Sequence, residues 1–162
     1  MSPSTPPALV LPGLALPLPA LAYGALSAFT QVSEVNAVNL TDGLDGLGAS
    51  CSALALSAAA VVVAPSNLGL ATFCAAMAGA ACGFLLWNKH PAAVFMGDAG
   101  AQALGASFAC VAAFSGHFGA VAALSVVFIA ETLSVIAQVR AAPAPALRAQ
   151  SPGCGLLAAH ES

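Results

Sequence analysis

Two short polar segments interrupt an otherwise apolar chain and contain most of the residues that could do chemistry. The first reads Asn36-Ala-Val-Asn39-Leu-Thr-Asp42-Gly-Leu-Asp45-Gly. Side-chain oxygens and bare glycine amides at this density could hold hydroxyls, phosphates and a hard cation. Asp42 and Asp45 would face the same way on a helical turn. Neighbouring Asp-Gly pairs are also an ordinary turn signal, so residue types alone leave both interpretations open.

The second polar segment spans residues 88–100 and contains the sequence Phe95-Met-Gly97-Asp98. Asp98 stands at the predicted start of a helix, where it could be an N-cap or could hold Mg²⁺ together with substrate phosphate oxygens. Phe95 could be an aromatic anchor at a membrane surface or a stacking surface for a flat ring. Residue types alone leave these alternatives open as well.

The rest of the chain has the composition of a membrane protein. Of its 162 residues, 60% are hydrophobic and 6% are charged, with Lys+Arg 3 against Asp+Glu 6. Ordinary soluble domains carry roughly 25% charged residues. A net charge of -3 provides no basic surface for nucleic acid, and so apolar a chain is not disordered. The five cysteines form no CxxC pair, so they are interpreted as apolar helix residues rather than a zinc site.

Five uncharged apolar stretches predict transmembrane helices at 8–30, 47–64, 68–87, 99–116 and 119–139. Each is about as long as the roughly 20 residues that cross a bilayer core. Pro12, Pro17 and Pro19 would kink the first, and the small residues of the others favour close helix packing. The predicted fold is all-α, an integral membrane bundle of about five transmembrane helices in residues 1–139. A flexible cytoplasmic tail is predicted for residues 140–162.

The basic residues orient this predicted bundle. Lys89, Arg140 and Arg148 all fall on the side that carries the two polar segments. Because cytoplasmic loops are enriched in Lys and Arg, this side is predicted to be cytoplasmic. Lys89 and its neighbour His90 could meet a diphosphate or act as an ordinary positive anchor. The same loops hold four acids: Glu34, Asp42, Asp45 and Asp98.

Glu131 is the acid predicted to lie inside a transmembrane helix. An acid at that depth is costly, so we expect it to be functional or internally bonded. A neutral form that is hydrogen-bonded to a neighbouring helix and a direct role in the site are both open.

Three sequence motifs carry a resemblance to a known family. They are NAVNLTDGLDGL at 36–47, GFLLWNKHPAAVFMGDAG at 83–100 with Ala103-Leu-Gly105, and ETLSVIAQV at 131–139. In this order they resemble the phospho-N-acetylmuramoyl-pentapeptide transferases of peptidoglycan synthesis. Looser forms of the first two occur in related polyprenyl-phosphate sugar-1-phosphate transferases. The resemblance covers about residues 8–139 and corresponds to roughly the second half of a full-length member.

The resemblance implies a membrane enzyme of cell wall biogenesis. Such an enzyme moves phospho-MurNAc-pentapeptide from UDP-MurNAc-pentapeptide to undecaprenyl phosphate and releases UMP. The implied cofactor is Mg²⁺, and the implied partners are these two substrates and the lipid bilayer. The default location is a bacterial inner membrane, with a plastid membrane as the alternative.

The resemblance also implies roles for individual residues. Asp98 would hold the Mg²⁺, and Asp42 would be a second catalytic acid that also lines the sugar-phosphate pocket. Phe95 would stack on the uracil, and Asp45 would hydrogen-bond the uracil edge. The other residues implied to bind substrate or support the site are Asn36, Asn39, Asn88 and Gly97.

The sequence also departs from the family pattern. The family's upstream motif of adjacent aspartates with a lysine does not occur before Ala8, and its histidine cluster is missing after the last motif, where only His160 is found. Ala101 stands where the family usually has Ser. We therefore expect a truncated member that is catalytically incomplete alone, with a second copy or a missing N-terminal half as its candidate protein partner. The alternatives are a non-catalytic membrane protein that keeps the pocket or scaffold, and a related polyprenyl-phosphate N-acetylhexosamine-1-phosphate transferase.

Overall fold

The computed structural model describes residues 8–11 and 13–141, and this part of the chain is mostly helical. The elements in chain order are β1 (Ala8–Leu11), β2 (Leu14–Pro17), α1 (Ala20–Thr41), α2 (Leu47–Val63), α3 (Leu68–Asn88), α4 (Gly97–Ser115), α5 (Phe118–Leu124) and α6 (Val126–Ala141). Arg140, predicted to open the flexible tail, lies in the last turn of α6. The remainder of that predicted tail, residues 142–162, is outside the described residues.

The first predicted helix, 8–30, is wrong in its N-terminal half. Strands β1 and β2 form an antiparallel hairpin in which Ala8 pairs with Pro17. Pro17 and Pro19 have no backbone N–H and cannot lie inside a helix, so α1 begins only after Pro19, which is its N-cap residue. The amide of Val10 donates a hydrogen bond to the Gly116 carbonyl at 2.9 Å and ties the hairpin to the end of α4.

Helix α1 continues through residues 31–41, which were predicted to form a loop. Residues 25–42 contain neither glycine nor proline, and the first helix breaker after them is Gly43. Ala37 and Val38 lie in the buried core and give this extension an apolar face. Glu34, predicted in a solvated loop, is instead a helical residue with only 6% of its surface exposed. The first polar segment is therefore half helix and half turn.

Helix α1 packs mainly against α4, and α2 packs mainly against α3. Gly105 of α4 permits the first contact, because a Cβ built there would lie 2.6 Å from both the Glu34 carbonyl oxygen and the Val35 Cα. The hydroxyl of Tyr23 adds a hydrogen bond to the Ala113 carbonyl at 2.6 Å. This close packing brings the C-terminal end of α1 beside the start of α4.

The predicted helices at 47–64, 68–87 and 99–116 are confirmed as α2, α3 and α4. The predicted helix at 119–139 is wrong as a single element, since α5 and α6 meet at an angle of 68°. Ser125 lies at the break with a backbone conformation of φ -86° and ψ 10°. No glycine or proline lies at this position, so the bend could not be predicted from the residue types. Glu131 lies on α6 with an exposed side chain.

Within residues 8–11 and 13–141, one helix is long and apolar enough to cross a membrane, namely α3. The number becomes two if α5 and α6 together form a bent span. Helix α2 is apolar but shorter. The prediction of a helical fold is thus confirmed, whereas the prediction of about five membrane spans stays a prediction.

Candidate functional site

The two polar segments meet at one end of the helices and enclose a pocket of about 200 Å³. The end of α1, the α1–α2 turn, the end of α3 and the start of α4 supply its walls. Its lining residues are Asn39, Asp42, Gly43, Leu44, Asp45, Asn88, Phe95, Met96, Gly97 and Asp98. Every site residue predicted from the sequence except Asn36 is among them.

A hydrogen bond between Asn39 and Asp98 joins the two segments directly. Asn39 lies on the last turn of α1, and its Nδ2 donates to Asp98 Oδ1 at 3.1 Å. Asp98 is the acid in the first turn of α4, where the free backbone amides of the helix favour a negative charge. The contact depends on the close packing of α1 and α4, and it fixes one oxygen of an otherwise exposed carboxylate.

Asp42 follows α1 as its C-cap residue and packs against the beginning of α2. A Cβ on the buried Gly48 would lie 2.6 Å from Asp42 Oδ1, so glycine here lets the carboxyl group lie against α2 in this conformation. Partial burial raises the pKa of Asp42 above its ordinary value. Asp42 and Asp98 are thus two acids of one pocket in different surroundings.

The side chain of Asn88 supports the pocket through two hydrogen bonds. Its Oδ1 accepts a hydrogen bond from the Gly46 amide at 3.0 Å, and its Nδ2 donates to the Val94 carbonyl at 2.9 Å. Gly46 adopts a positive φ of 77° at the start of α2, a conformation that favours glycine. Because Asn88 is buried and uses both ends of its amide, it ties the α1–α2 turn to the α3–α4 loop.

Asp45 and Phe95 lie on opposite segments of the pocket. Asp45 Oδ2 is 3.1 Å from His90 Nδ1 and accepts a hydrogen bond from the Ala92 amide at 3.2 Å. Phe95 is 75% exposed, so a flat ligand could stack on its ring. Gly97, with a φ of 66°, turns the chain from Phe95 into α4.

Asn36 is the predicted site residue that the structure does not place in this pocket. Its Nδ2 donates to the Val32 carbonyl at 2.7 Å within α1. Asn36 instead borders a larger apolar groove of about 540 Å³ between α1, α5 and α6. This groove includes the buried Glu34 and the aromatic rings of Phe29 and Phe118. Glu34 Oε2 has no hydrogen-bond partner among the described residues.

Sequence reasoning missed some lining residues and one contact. Met96, Gly43 and Leu44 carry no polar group, so nothing in their types marked them as pocket residues. His90 was noted for its position in the second polar segment, but its contact with Asp45 depends on the path of the α3–α4 loop.

The donor set of the pocket fits a magnesium ion that is shared with a substrate. Among the described residues, no group of three or more His, Cys, Asp or Glu side chains is arranged to hold a metal. Mg²⁺ is usually bound by one or two carboxylates together with waters and substrate phosphates. The carboxylate of Asp98, oriented by Asn39 and facing the same pocket as Asp42, is a donor set of that kind.

Comparison with known proteins identifies the family. A family model described as glycosyl transferase family 4 matches residues 4–116. The phospho-N-acetylmuramoyl-pentapeptide-transferase of Acaryochloris marina is 52% identical over 132 residues, which are 81% of this chain and 35% of the relative. The protein of the same name from Nostoc punctiforme is 47% identical over 132 residues, or 36% of its length.

The resemblance to phospho-N-acetylmuramoyl-pentapeptide transferases is confirmed by these relatives, whose names are those of transferases. The chain spans about a third of the length of the curated relatives that it matches. Because the family model covers more than half of the chain, this protein belongs to glycosyl transferase family 4.

Proposed function

We propose that this chain forms the nucleotide-sugar side of a phospho-N-acetylmuramoyl-pentapeptide transferase at the cytoplasmic face of a bacterial inner membrane. The observation that carries the proposal is the Asn39–Asp98 hydrogen bond, which closes two distant polar segments into one pocket. In that pocket an exposed Phe95 side chain, three carboxylates and the buried Asn88 amide come together, a combination suited to recognition of a nucleoside diphosphate with a bound cation.

The proposed reaction transfers a phosphoryl group between two phosphates. A phosphate oxygen of undecaprenyl phosphate forms a new P–O bond to the sugar-bearing β-phosphorus of UDP-MurNAc-pentapeptide. The bond between that phosphorus and the bridging oxygen breaks, and UMP leaves with the bridging oxygen. Mg²⁺, when bound, supplies positive charge to the phosphate oxygens.

The residues of the chain perform the remaining tasks in this proposal. Asp98, held by Asn39, would bind the Mg²⁺ that is shared with the diphosphate. Asp42 would face the sugar-phosphate. Phe95 would stack on the uracil while Asp45 accepts its N–H. Positioning of this kind, with electrostatic stabilisation, makes up most of the catalysis of phosphoryl transfer.

The apolar groove between α1, α5 and α6 suits the lipid acceptor. Ala37 borders the groove, and Asn39 on the same helix lines the pocket, so an apolar chain in the groove could present its phosphate near the nucleotide. Large apolar side chains on the outer faces of the helices, such as Leu54 and Leu68, support contact with a lipid bilayer.

A second candidate function is nucleotide-sugar binding without transfer. It is favoured by the exposed Phe95 side chain and the Asp45 carboxylate, which suit recognition of a nucleotide base whether or not transfer follows. Both candidates require the pocket to bind UDP-MurNAc-pentapeptide, but only the first requires UMP to be released.

The test is binding of UDP-MurNAc-pentapeptide to the purified chain in detergent, with and without Mg²⁺. We expect Mg²⁺-dependent binding that is lost in Asp98→Asn and retained in Glu131→Gln, which removes an exposed acid from α6 outside the pocket. Release of UMP on addition of undecaprenyl phosphate would then separate transfer from binding alone. A folded wild-type chain that does not bind the nucleotide-sugar would refute both candidates.

A further inference from the structure

His90 contacts the pocket without lining it. It lies in the α3–α4 loop with 83% of its side chain exposed, and its Nδ1 is 3.1 Å from Asp45 Oδ2. A carboxylate can only accept, so Nδ1 must carry the hydrogen in this contact. The Ala92 amide donates to the same oxygen at 3.2 Å. Two donors from one loop therefore hold one oxygen of Asp45.

The other oxygen of Asp45 is left for a ligand. Among the described residues no hydrogen bond is formed to Asp45 Oδ1, while Asp45 itself belongs to the pocket wall. Anchoring Oδ2 restricts rotation of the carboxyl group, so Oδ1 is presented in a defined direction. Without His90, the Ala92 amide alone would hold the group, and at a longer distance.

We infer that His90 is a positioning residue that sets the pyrimidine selectivity of the pocket by orienting Asp45. The inference rests on the proposed function, in which Asp45 meets the edge of a uracil. Uracil presents an N3–H donor to an oriented carboxylate oxygen, whereas cytosine presents an N3 lone pair that the same oxygen repels. A fixed Oδ1 therefore favours uridine nucleotides, and a rotating carboxyl group would discriminate less.

The experiment measures the dissociation constants of UMP and CMP for the purified full chain in detergent with Mg²⁺. We compare wild type with His90→Ala, His90→Asn and His90→Gln. The amide nitrogen of Asn can take the place of Nδ1, whereas that of Gln corresponds to Nε2. His117→Ala, in the loop between α4 and α5, is the matched histidine control, since its Nδ1 contacts Ser115 and not the pocket.

We expect wild type to prefer UMP. His90→Ala and His90→Gln should weaken UMP binding about two- to fivefold, as expected for the loss of one weak hydrogen bond, and leave CMP binding unchanged. His90→Asn should restore the preference, and His117→Ala should not alter it.

Two results would overturn the inference in distinguishable ways. An unchanged UMP to CMP ratio in His90→Ala, including an equal loss for both nucleotides, would contradict the positioning role and leave the proposed function standing. A folded wild-type chain that binds neither nucleotide, or both equally, would contradict recognition of uridine by the pocket. The inference would then fail together with that part of the proposed function.

Discussion

Asp42 and Asp98 show how local surroundings divide the tasks of two identical side chains. Asp98 is exposed at the start of α4 and is oriented by Asn39. Asp42 is packed against Gly48, and burial raises its pKa. An acid with a raised pKa favours its protonated form in the folded state, so ionising it costs stability.

This cost predicts a pH-dependent effect of Asp42→Asn. Because the folded-state pKa lies above the unfolded one, the folded protein binds more protons between the two values, and stability falls as pH rises through that window. At pH 7, without Mg²⁺, the variant should be more stable than wild type by roughly a few tenths of a kcal/mol, because solvent screens this partly exposed carboxyl group. At about pH 3, where both states are protonated, the difference should vanish. Thermal unfolding in detergent measures it, and a variant less stable than wild type at pH 7 would contradict the assignment.

Asn39 and Asn36 provide a matched pair on one helix. Asn39→Ala removes the donor that orients Asp98, and loss of such an orienting contact commonly weakens metal binding by about tenfold or more. Mg²⁺-dependent nucleotide binding should therefore weaken by a similar factor, as measured by calorimetry. Asn36→Ala, outside the pocket, should bind normally. Equal losses in both variants would mean that Asn36 acts in the site after all.

The two segments that form the site could be recognised in the sequence because hydrogen-bonding groups and glycines cluster there in an otherwise apolar chain. The structure brings Asn88 and Asp98, both singled out through the family resemblance, to one pocket, and their roles there stay predictions. The partners were not predictable, since the Asn39–Asp98 and His90–Asp45 contacts join residues 59 and 45 positions apart. Such pairings follow from how the helices pack, which no local pattern contains.

At the scale of elements, the lengths of the apolar stretches predicted α2, α3 and α4 well. The same criterion failed for the first and last predicted helices. A hairpin that ends at Pro17 replaces the N-terminal half of the expected first helix. Residues 31–41, expected in a loop, are helical, and α4 covers one side of α1. Composition signals solvent exposure, but it does not reveal that a neighbouring helix will bury one face.

The α1–α4 contact makes Gly105 the most sensitive glycine of the helices that build the site. In Gly105→Ala the new Cβ would lie 2.6 Å from Glu34 and Val35 backbone atoms, so the helices must separate. We expect a loss of about 1–3 kcal/mol in the free energy of unfolding, together with weaker nucleotide binding as Asn39 moves from Asp98. Chemical denaturation measures the first effect.

Gly83→Ala is the matched control for this substitution. Gly83 lies inside α3, where an added Cβ meets no atom within 4 Å. Alanine is the better helix former by roughly 0.5–1 kcal/mol, so this variant should be as stable as wild type or more so. Similar losses in Gly83→Ala and Gly105→Ala would show that α1 and α4 do not depend on the glycine for their approach.

At the scale of the whole molecule, the apolar outer surface predicts how the protein partitions. Leu54, Val61 and Leu68 are each at least 74% exposed on α2 and α3, and few charged side chains interrupt the surface around them. Exposed apolar area of this extent costs roughly 25 cal/mol per Å² in water, a cost that a lipid bilayer removes. The expressed chain should therefore stay in the membrane fraction after an alkaline carbonate wash and be released by detergent. If carbonate alone released the folded chain, another protein surface and not lipid would cover these helices. That result would contradict the proposed transfer to a lipid phosphate.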